Sequence, residues 1–174
     1  MEPIGVKQHL PPQPSAPVQL ECKWERFQDV ANELLILSRL QQAEVGEGYQ
    51  PYNPDWSRYF AMDRAGSCGV WTARPINGGS LAGYIIWLTF RGLHCIDTIF
   101  ASADLVYMSP EWRDGLRGYK FLKSGIAAVA AQHPDIIHVE TNLLYKQGGM
   151  GLLLQRLGFR KIGEVYERRN ERAD

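Results

Sequence analysis

Residues 103–123 read ADLVYMSPEWRDGLRGYKFLK, and this stretch decides the fold of the 174-residue chain. Its first six residues form an apolar run, which predicts a β-strand. A turn with two glycines and two arginines follows over 109–118, and a helix is predicted to begin near Gly118. The segment therefore indicates the first half of a strand–helix–strand unit, in which the two strands are parallel.

The turn itself has the features of an anion-binding site. Backbone N–H groups in the first turn of a helix have no partner inside the helix, and the helix dipole is positive at that end. Gly115 and Gly118 would let a ligand approach the backbone closely. Arg113 and Arg117 carry positive charge suited to phosphate oxygens. The pattern predicts a phosphate or diphosphate site, with a plain strand–helix turn as the alternative.

The remaining periodicity predicts an α/β domain. Residues 1–20 contain five prolines and are interpreted as an extended leader that precedes a single domain over 21–174. Helices are predicted over 21–44, from Pro54 to about Phe60, over 119–132 and over 149–159; strands are predicted over 68–74, 81–90, 102–108, 135–141 and 164–169. This order favours a mixed sheet with helices on both faces.

Composition and charge exclude several classes of protein. Hydrophobic residues make up 45% of the chain, charged residues 22%, and the formal net charge is zero, so no overall field attracts nucleic acid or a membrane. The three cysteines form no CxxC pair and the four histidines show no metal-ligand spacing, so no metal site is expected. No signal peptide and no apolar run of membrane-spanning length is evident, which leads us to expect a cytoplasmic protein.

Three segments resemble the GNAT superfamily of N-acyltransferases. Residues 103–123 resemble its motif A, in which an apolar strand and Pro-Glu-x-Arg precede a loop of the form Arg/Gln-x-x-Gly-x-Gly/Ala. LLLQRLGFRKIGEVYERR, residues 152–169, is similar to the closing segment of the family, and LAGYIIW, residues 81–87, is similar to its Gly-Tyr strand. The resemblance covers about residues 24–169, and GNAT-like proteins of bacteriophages are similar in overall character. It implies the GNAT acyl-CoA N-acyltransferase fold, a central mixed β-sheet flanked by helices.

The resemblance also implies that acetyl-CoA (coenzyme A) is the cofactor. Backbone N–H groups of the turn would hold its diphosphate, from the residues Arg113, Asp114, Gly115, Leu116, Arg117, Gly118 and Tyr119. Backbone groups of the preceding strand would contact its pantetheine arm, from the residues Val106, Tyr107 and Met108. Two positions depart from the family pattern, since Leu116 replaces the middle glycine and Leu154 replaces the tyrosine that usually protonates the leaving thiolate.

Three residues are candidates for catalysis. Asp104 precedes the turn, where the family often has an acidic base, and partial burial of a carboxylate would suit that role. The alternative is a structural aspartate bonded to a neighbouring backbone group or arginine. Glu140 on the next predicted strand is a second candidate base, and Tyr145 is a candidate for the missing proton donor.

The resemblance implies an N-acetyltransferase that moves an acetyl group directly to an amine in a ternary complex. The acceptor would be a small amine, a protein amine or an amino-modified nucleotide, and a homodimer stays open. Because of Leu154 and Leu116, the alternative is a GNAT-fold interaction module without catalysis, such as a phage protein that contacts a host factor in the host cytoplasm. A third interpretation is a nucleotide-binding regulator that uses the same turn.

Overall fold

The computed structural model describes residues 19–45, 52–139 and 149–163. In chain order its elements are β1 (Leu20–Glu25), α1 (Phe27–Val45), α2 (Trp56–Arg64), β2 (Cys68–Pro75), β3 (Gly83–Arg91), β4 (Ile99–Met108), a 3-10 helix (Pro110–Trp112), α3 (Arg117–Ala130), β5 (Ile136–Val139) and α4 (Gly149–Arg156). The strands form one sheet in the order β1-β2-β3-β4-β5. The first four are antiparallel to their neighbours and β5 is parallel to β4, which confirms the mixed sheet and the strand–helix–strand crossover.

The first strand was not expected from the sequence. The helix predicted from Glu21 begins at Phe27 instead, and the residues before it pair with β2 from Leu20 to Glu25. Burial alternates along this strand, with Cys22 and Trp24 turned toward the core and Lys23 exposed. Trp24 fits a period of two as well as the helical stripe of α1, and the available edge of β2 decides in favour of the strand.

The second helix begins two residues later than expected, since its predicted cap was Asn53. Asp55 is the N-cap, and its carboxylate accepts a hydrogen bond from the Arg58 amide at 3.0 Å. Asn53 and Pro54 therefore precede the helix. An aspartate that satisfies a free amide of the first turn stabilises the helix better than the earlier position would. The third helix begins at Arg117, two residues before the predicted start.

The core has one layer on each face of the sheet, as the sequence predicts. On one face α1 and α2 cover the sheet, and the buried residues there are Phe27, Val30, Leu34, Leu37, Cys68, Val70, Leu81, Tyr84, Ile86 and Tyr107. On the other face α3 and α4 cover it, and the buried residues there are Ala73, Ile85, Trp87, Ala101, Ala103, Met108, Phe121, Leu122, Val129 and Leu154. We call these the α1/α2 face and the α3/α4 face. Burial of these apolar side chains is the main force that holds the three layers together.

Several sequence expectations lie outside the described residues, namely the leader over 1–18 and the closing strand over 164–169. Among the described residues, each helix is too short or too polar to cross a bilayer. The same residues bring no three histidine, cysteine, aspartate or glutamate side chains together in a way that would hold a metal ion.

Candidate active site

A β-bulge in β4 places Asp104 out of the regular strand alternation. Leu105 pairs with Ile86 and Ala103 pairs with Trp87, so Asp104 is an extra residue with no partner on β3. The extra residue shifts the pattern by one. Ala103 packs on the α3/α4 face, whereas Leu105 packs on the α1/α2 face. The bulge therefore redirects β4 in the middle of the sheet and leaves one carboxylate free of the strand ladder.

Asp104 accepts a hydrogen bond from the hydroxyl group of Tyr59 on α2. Its side chain is exposed, and within the described ranges it forms no ion pair with a lysine or arginine. The arginine pair of the alternative interpretation is therefore not formed among the described residues, and the partial burial expected of a catalytic carboxylate is not observed either. Burial, the hydrogen bond and the negative charge of Asp104 together raise the pKa of Tyr59, so the phenol stays protonated and acts as a donor.

Tyr59 reaches Asp104 because its ring is held from behind. The ring stacks on that of Phe27, with the centroids 4.9 Å apart and an angle of 9° between the planes. Its centroid lies 6.1 Å from that of the Trp56 ring. Phe27 is fully buried at the start of α1. Aromatic packing of this kind fixes the direction of the hydroxyl group at a small entropic cost. The tyrosine is thus part of the core at one end and part of the site at the other.

Cys68 lies on β2 near the same carboxylate, but its thiol is unsuited to covalent catalysis. Burial, with smaller contributions from the charges of Asp63 and Asp104, raises the pKa of Cys68 to about 12. A thiol with so high a pKa is almost entirely protonated at neutral pH and is a poor nucleophile.

The turn between β4 and α3 is built as an open corner. The 3-10 helix leads into Gly115, whose φ of +63° favours glycine, and α3 then begins at Arg117. Leu116 is in the N-cap position, provides no side-chain cap and is 66% exposed. The leucine that replaces the expected glycine is therefore largely exposed to solvent and is not packed into the protein.

The amide groups of this turn divide into bonded and free ones. The amides of Arg113 and Arg117 donate to the carbonyls of Pro110 at 3.1 Å and Asp114 at 3.4 Å. The other five amides from Arg113 to Tyr119 donate to no carbonyl among the residues that the structure describes: those of Asp114, Gly115, Leu116, Gly118 and Tyr119. Apart from its chain neighbours and the backbone of its own helix, no described atom lies within 4 Å of the place where a Cβ of Gly118 would stand. Free amides and open space are what an anion at a helix N-terminus requires.

The two arginines of the turn differ in what they contact. Arg117 lies over the ring of Trp112, with its guanidinium carbon 5.7 Å from the centroid, and stays partly exposed beside the corner. Arg113, which we expected to offer its charge to phosphate, instead donates to both carboxylate oxygens of Glu44 at 2.7 and 3.0 Å. Its Nε also donates to the carbonyl of Met108 at 2.6 Å. Glu44 therefore neutralises part of the charge that Arg113 was expected to offer to phosphate.

The strand before the turn has a free edge in the described structure. β5 pairs with β4 over residues 100–103, and residues 104–108 have no strand partner on that side among the described residues. Of the predicted contacts to the pantetheine arm, the Val106 carbonyl accepts a long bond from the Gln41 side chain at 3.4 Å. The Met108 carbonyl is occupied by Arg113, while the side chains of Tyr107 and Met108 are buried on opposite faces.

Leu154 is buried where the resemblance expects a tyrosine. The side chain is 6% exposed and belongs to the core of the α3/α4 face. The other two catalytic candidates, Glu140 and Tyr145, lie outside the described residues. The position that usually supplies a proton donor is thus occupied by a core residue.

Of two further residues of the site, Glu44 was missed by the sequence analysis, whereas Tyr59 was expected to pack in the core or to shape the acceptor pocket, because the GNAT resemblance places the acceptor side at its aromatic segment. Tyr59 belongs to a cluster of aromatic residues that packing explains equally well, and Glu44 is an ordinary charged residue near the end of a helix. Their partners are 45 and 69 residues away, so no local spacing could reveal them. The available signal was the placement of α2 on the acceptor side of the fold that the resemblance implies.

Solved structures with the same architecture are acetyltransferases. An aminoglycoside acetyltransferase, meta-AAC0020, from an uncultured soil metagenomic sample and in complex with sisomicin, has a TM-score of 0.62 and 10% identity, over 87% of this chain and 97% of that one. A predicted acetyltransferase from Clostridium acetobutylicum, solved with acetyl-CoA, has a TM-score of 0.63 and 14% identity, over 87% of this chain and 96% of that one. A ribosomal-protein-alanine N-acetyltransferase from Brucella melitensis biovar Abortus 2308 has a TM-score of 0.61 and 12% identity, over 88% and 100%.

These similarities establish the fold alone. Sequence identities of this size carry no information about the reaction. No family model matches the chain. No curated protein matches it either. The GNAT acyltransferase fold predicted from the sequence is confirmed, with its five-stranded mixed sheet between two layers of helices.

Proposed function

We propose that this chain is an acetyl-CoA-dependent N-acetyltransferase that transfers the acetyl group directly to an amine. The observation that carries the proposal is the open corner at the start of α3, where five amides have no carbonyl partner among the described residues and the space beside Gly118 is open. The corner follows a bulged strand whose edge over 104–108 is unpaired among the same residues, in a fold that acetyltransferases share. A plain strand–helix turn would need none of these features together.

The corner fits the diphosphate of coenzyme A. The amides of Gly118 and Tyr119 would donate to its oxygens, and the partial positive charge of the α3 N-terminus would favour the anion. Arg117 stands beside these amides and adds a full positive charge. The free edge of β4 over 104–108 would hold the pantetheine arm as an added strand would, with Val106 and Tyr107 in the middle of that edge.

Asp104 is the group that we propose as proton acceptor. Acetyl-CoA supplies the thioester carbonyl that the acceptor amine attacks. An amine attacks only in its neutral form, so a carboxylate beside it that takes up the proton promotes the reaction. Asp104 is exposed, lies at the bulge and is held in direction by the hydroxyl group of Tyr59.

The remaining catalytic candidates keep lesser roles in the proposal. Glu140 is a second proton acceptor and Tyr145 a donor to the leaving thiolate. With Leu154 in the core, the thiolate would otherwise leave without a donor from α4. Coenzyme A is a fair leaving group, so correct placement of the reactants would supply much of the acceleration.

The acceptor is proposed as an amine of unspecified size. One similar structure is an aminoglycoside acetyltransferase bound to sisomicin, and another is a ribosomal-protein-alanine N-acetyltransferase. We therefore propose an aminoglycoside, a peptide N-terminus and a simple primary amine as the first acceptors to test. A bacteriophage origin, a cytoplasmic location and a homodimer remain predictions.

The burial of Leu154 favours one alternative, an interaction module that binds coenzyme A without turnover. Calorimetry with coenzyme A, acetyl-CoA, ATP and NAD, followed by thiol release from acetyl-CoA with the three amines, tests both functions. Heat with the two coenzyme A ligands and thiol release with an amine is the expected result. Binding without thiol release for any amine would favour the module, and no binding at all would contradict both functions.

A further inference from the structure

Glu44 is the centre of a cluster that joins three elements. It lies in the last turn of α1 and accepts a hydrogen bond from the Tyr107 hydroxyl on β4 at 2.7 Å. Its two oxygens also accept bonds from the Arg113 guanidinium in the turn. The side chains of the ion pair are 42% exposed for Arg113 and 30% exposed for Glu44, so solvent reaches the pair from one side.

Arg113 completes the same cluster from the turn. Besides Glu44, it donates from Nε to the Met108 carbonyl, and its guanidinium carbon lies 5.2 Å from the centre of the Tyr107 ring. Burial and the bond to Glu44 raise the pKa of Tyr107, which keeps this phenol a donor. One arginine is thus held by a carboxylate, a carbonyl and an aromatic face, a set of contacts that restricts its direction.

The turn has two other anchors at its start, where the Ser109 amide donates to the Ala82 carbonyl and Trp112 packs on the α3/α4 face, but few near α3. The N-cap residue of α3 makes no side-chain cap bond, and Gly115 and Gly118 add backbone freedom between the 3-10 helix and the helix proper. A turn with that freedom would lose conformational entropy when a ligand orders it, and ordering beforehand increases affinity. Arg113 is the residue at which this turn is tied to β4 and α1.

We infer that Glu44 and Arg113 form a positioning pair that holds the anion-binding turn in its open shape, so that Arg113 acts through the backbone and not as a phosphate ligand. The inference rests on the proposed function, since it concerns how coenzyme A binds. It also predicts that removing the charge of Glu44 changes the affinity for coenzyme A in the direction opposite to that expected from simple electrostatics. Removing a negative charge near an anion site ordinarily strengthens anion binding, whereas removing the charge of Glu44 would release the turn and weaken it.

The test measures the dissociation constant for coenzyme A by calorimetry in Glu44→Gln, Arg113→Gln and the double variant. Each single variant is expected to raise the dissociation constant about tenfold, and the double variant no further, because the two residues act as one unit. Glu111→Gln is the matched control. Glu111 is exposed on the 3-10 helix and makes no bond to Arg113 among the described residues, so its loss should leave binding unchanged or slightly tighter.

A second variant covers the case in which Glu44→Gln does not fold. Tyr107→Phe removes one hydrogen bond to Glu44 and keeps the ring under Arg113, so it should weaken coenzyme A binding about threefold. If the wild-type chain binds coenzyme A, two results would overturn the pairing. One is binding of coenzyme A by Glu44→Gln that is equal to or tighter than that of the wild type, and the other is a loss of affinity in the double variant equal to the sum of the two single losses. If the wild-type chain gives no heat with coenzyme A, the proposed function fails and the pairing fails with it.

Discussion

The hydroxyl group of Tyr59 on α2 donates a hydrogen bond to the carboxylate of Asp104 at the bulge of β4. The bond joins a helix of the α1/α2 face to the one residue of β4 that the pairing with β3 leaves out. On a regular strand, the hydrogen bonds of the backbone to neighbouring strands would fix the direction in which a carboxylate side chain leaves the sheet. At a bulge the side chain needs another restraint, and the phenol of Tyr59 provides it.

Asp104→Asn is expected to lower kcat for acetyl transfer by about 100-fold or more, the size of a lost general base. The dissociation constant for acetyl-CoA should change little, because the pantetheine arm would contact the backbone of β4 and the substitution alters only the side chain of Asp104. Asp97→Asn is the control, since Asp97 is exposed in the loop before β4 and undergoes the same change of charge. Steady-state rates together with calorimetry separate the two effects. A variant that keeps wild-type kcat would remove Asp104 from the mechanism.

Tyr59→Phe is expected to lower kcat about tenfold, the value of one hydrogen bond to a charged group, with KM for acetyl-CoA unchanged. In the Asp104→Asn background the same substitution should have little further effect, because Tyr59 acts through Asp104. Tyr52→Phe is the matched control. Its hydroxyl bonds to Ser38 and not to Asp104, so kcat should stay near the wild-type value. Independent losses in the double variant would show that Tyr59 has a separate role.

The sequence predicted the sheet and its crossover because both depend on local patterns. Apolar strands, proline stops and glycine turns occur at the expected spacings, and the order β-α-β around α3 follows from them. The first strand was missed because Trp24 suits two periodicities, and only pairing with β2 selects between them. Such a choice depends on a tertiary neighbour, and propensity contains no information about it.

The site was predicted in its position and missed in its detail. The open turn before α3 could be located from two glycines and a strand–helix junction, and its free amides agree with that expectation. The bulge at Asp104 could not be located from the sequence, because one extra residue in a strand does not change the composition by which a strand is recognised. The engagement of Arg113 by Glu44 depends on a contact across 69 residues, which turned an expected phosphate ligand into a structural link.

The two glycines of α3 allow a test that separates binding from folding. Gly118→Ala should leave the free energy of unfolding unchanged or raise it by up to about 1 kcal/mol, because the space around it is open and alanine favours the helix. The added methyl group would stand where the diphosphate approaches. Coenzyme A affinity should therefore fall at least about tenfold, the equivalent of one lost hydrogen bond to a charged group.

Gly125→Ala is the companion variant with the opposite signature. Its Cβ would stand 2.5 Å from Cδ1 of Ile85 and 2.9 Å from Cδ1 of Trp71. Overpacking of this kind should cost about 1–3 kcal/mol of stability, while the folded fraction should bind coenzyme A as the wild type does. Urea unfolding and calorimetry at a temperature where both variants are folded give the two quantities. If Gly118→Ala binds normally, the diphosphate does not approach this glycine.

Glu33 on α1 connects that helix to β2 and to the residues that precede β3. Its carboxylate accepts two bonds from the Arg74 guanidinium at 2.6 and 2.8 Å and one from the Leu81 amide at 3.3 Å. The bonds from Arg74 are the main reason that the pKa of Glu33 lies below its usual range. A carboxyl group with a lowered pKa in the folded state contributes stability above its unfolded pKa and loses it as the pH falls through the folded value.

The Glu33→Gln variant should therefore differ from the wild type in a defined pH window. At pH 7 it should be less stable by about 0.5–1 kcal/mol, a value kept small because solvent reaches the pair. Below about pH 4.3, the ordinary value for glutamate, the difference should shrink as the wild-type carboxylate is protonated. Urea unfolding between pH 7 and pH 3 measures both curves, with Asp97→Asn as the control for a lost surface charge. A difference that stays constant over this range would mean that the Glu33 carboxylate gains nothing from Arg74 in its charged form.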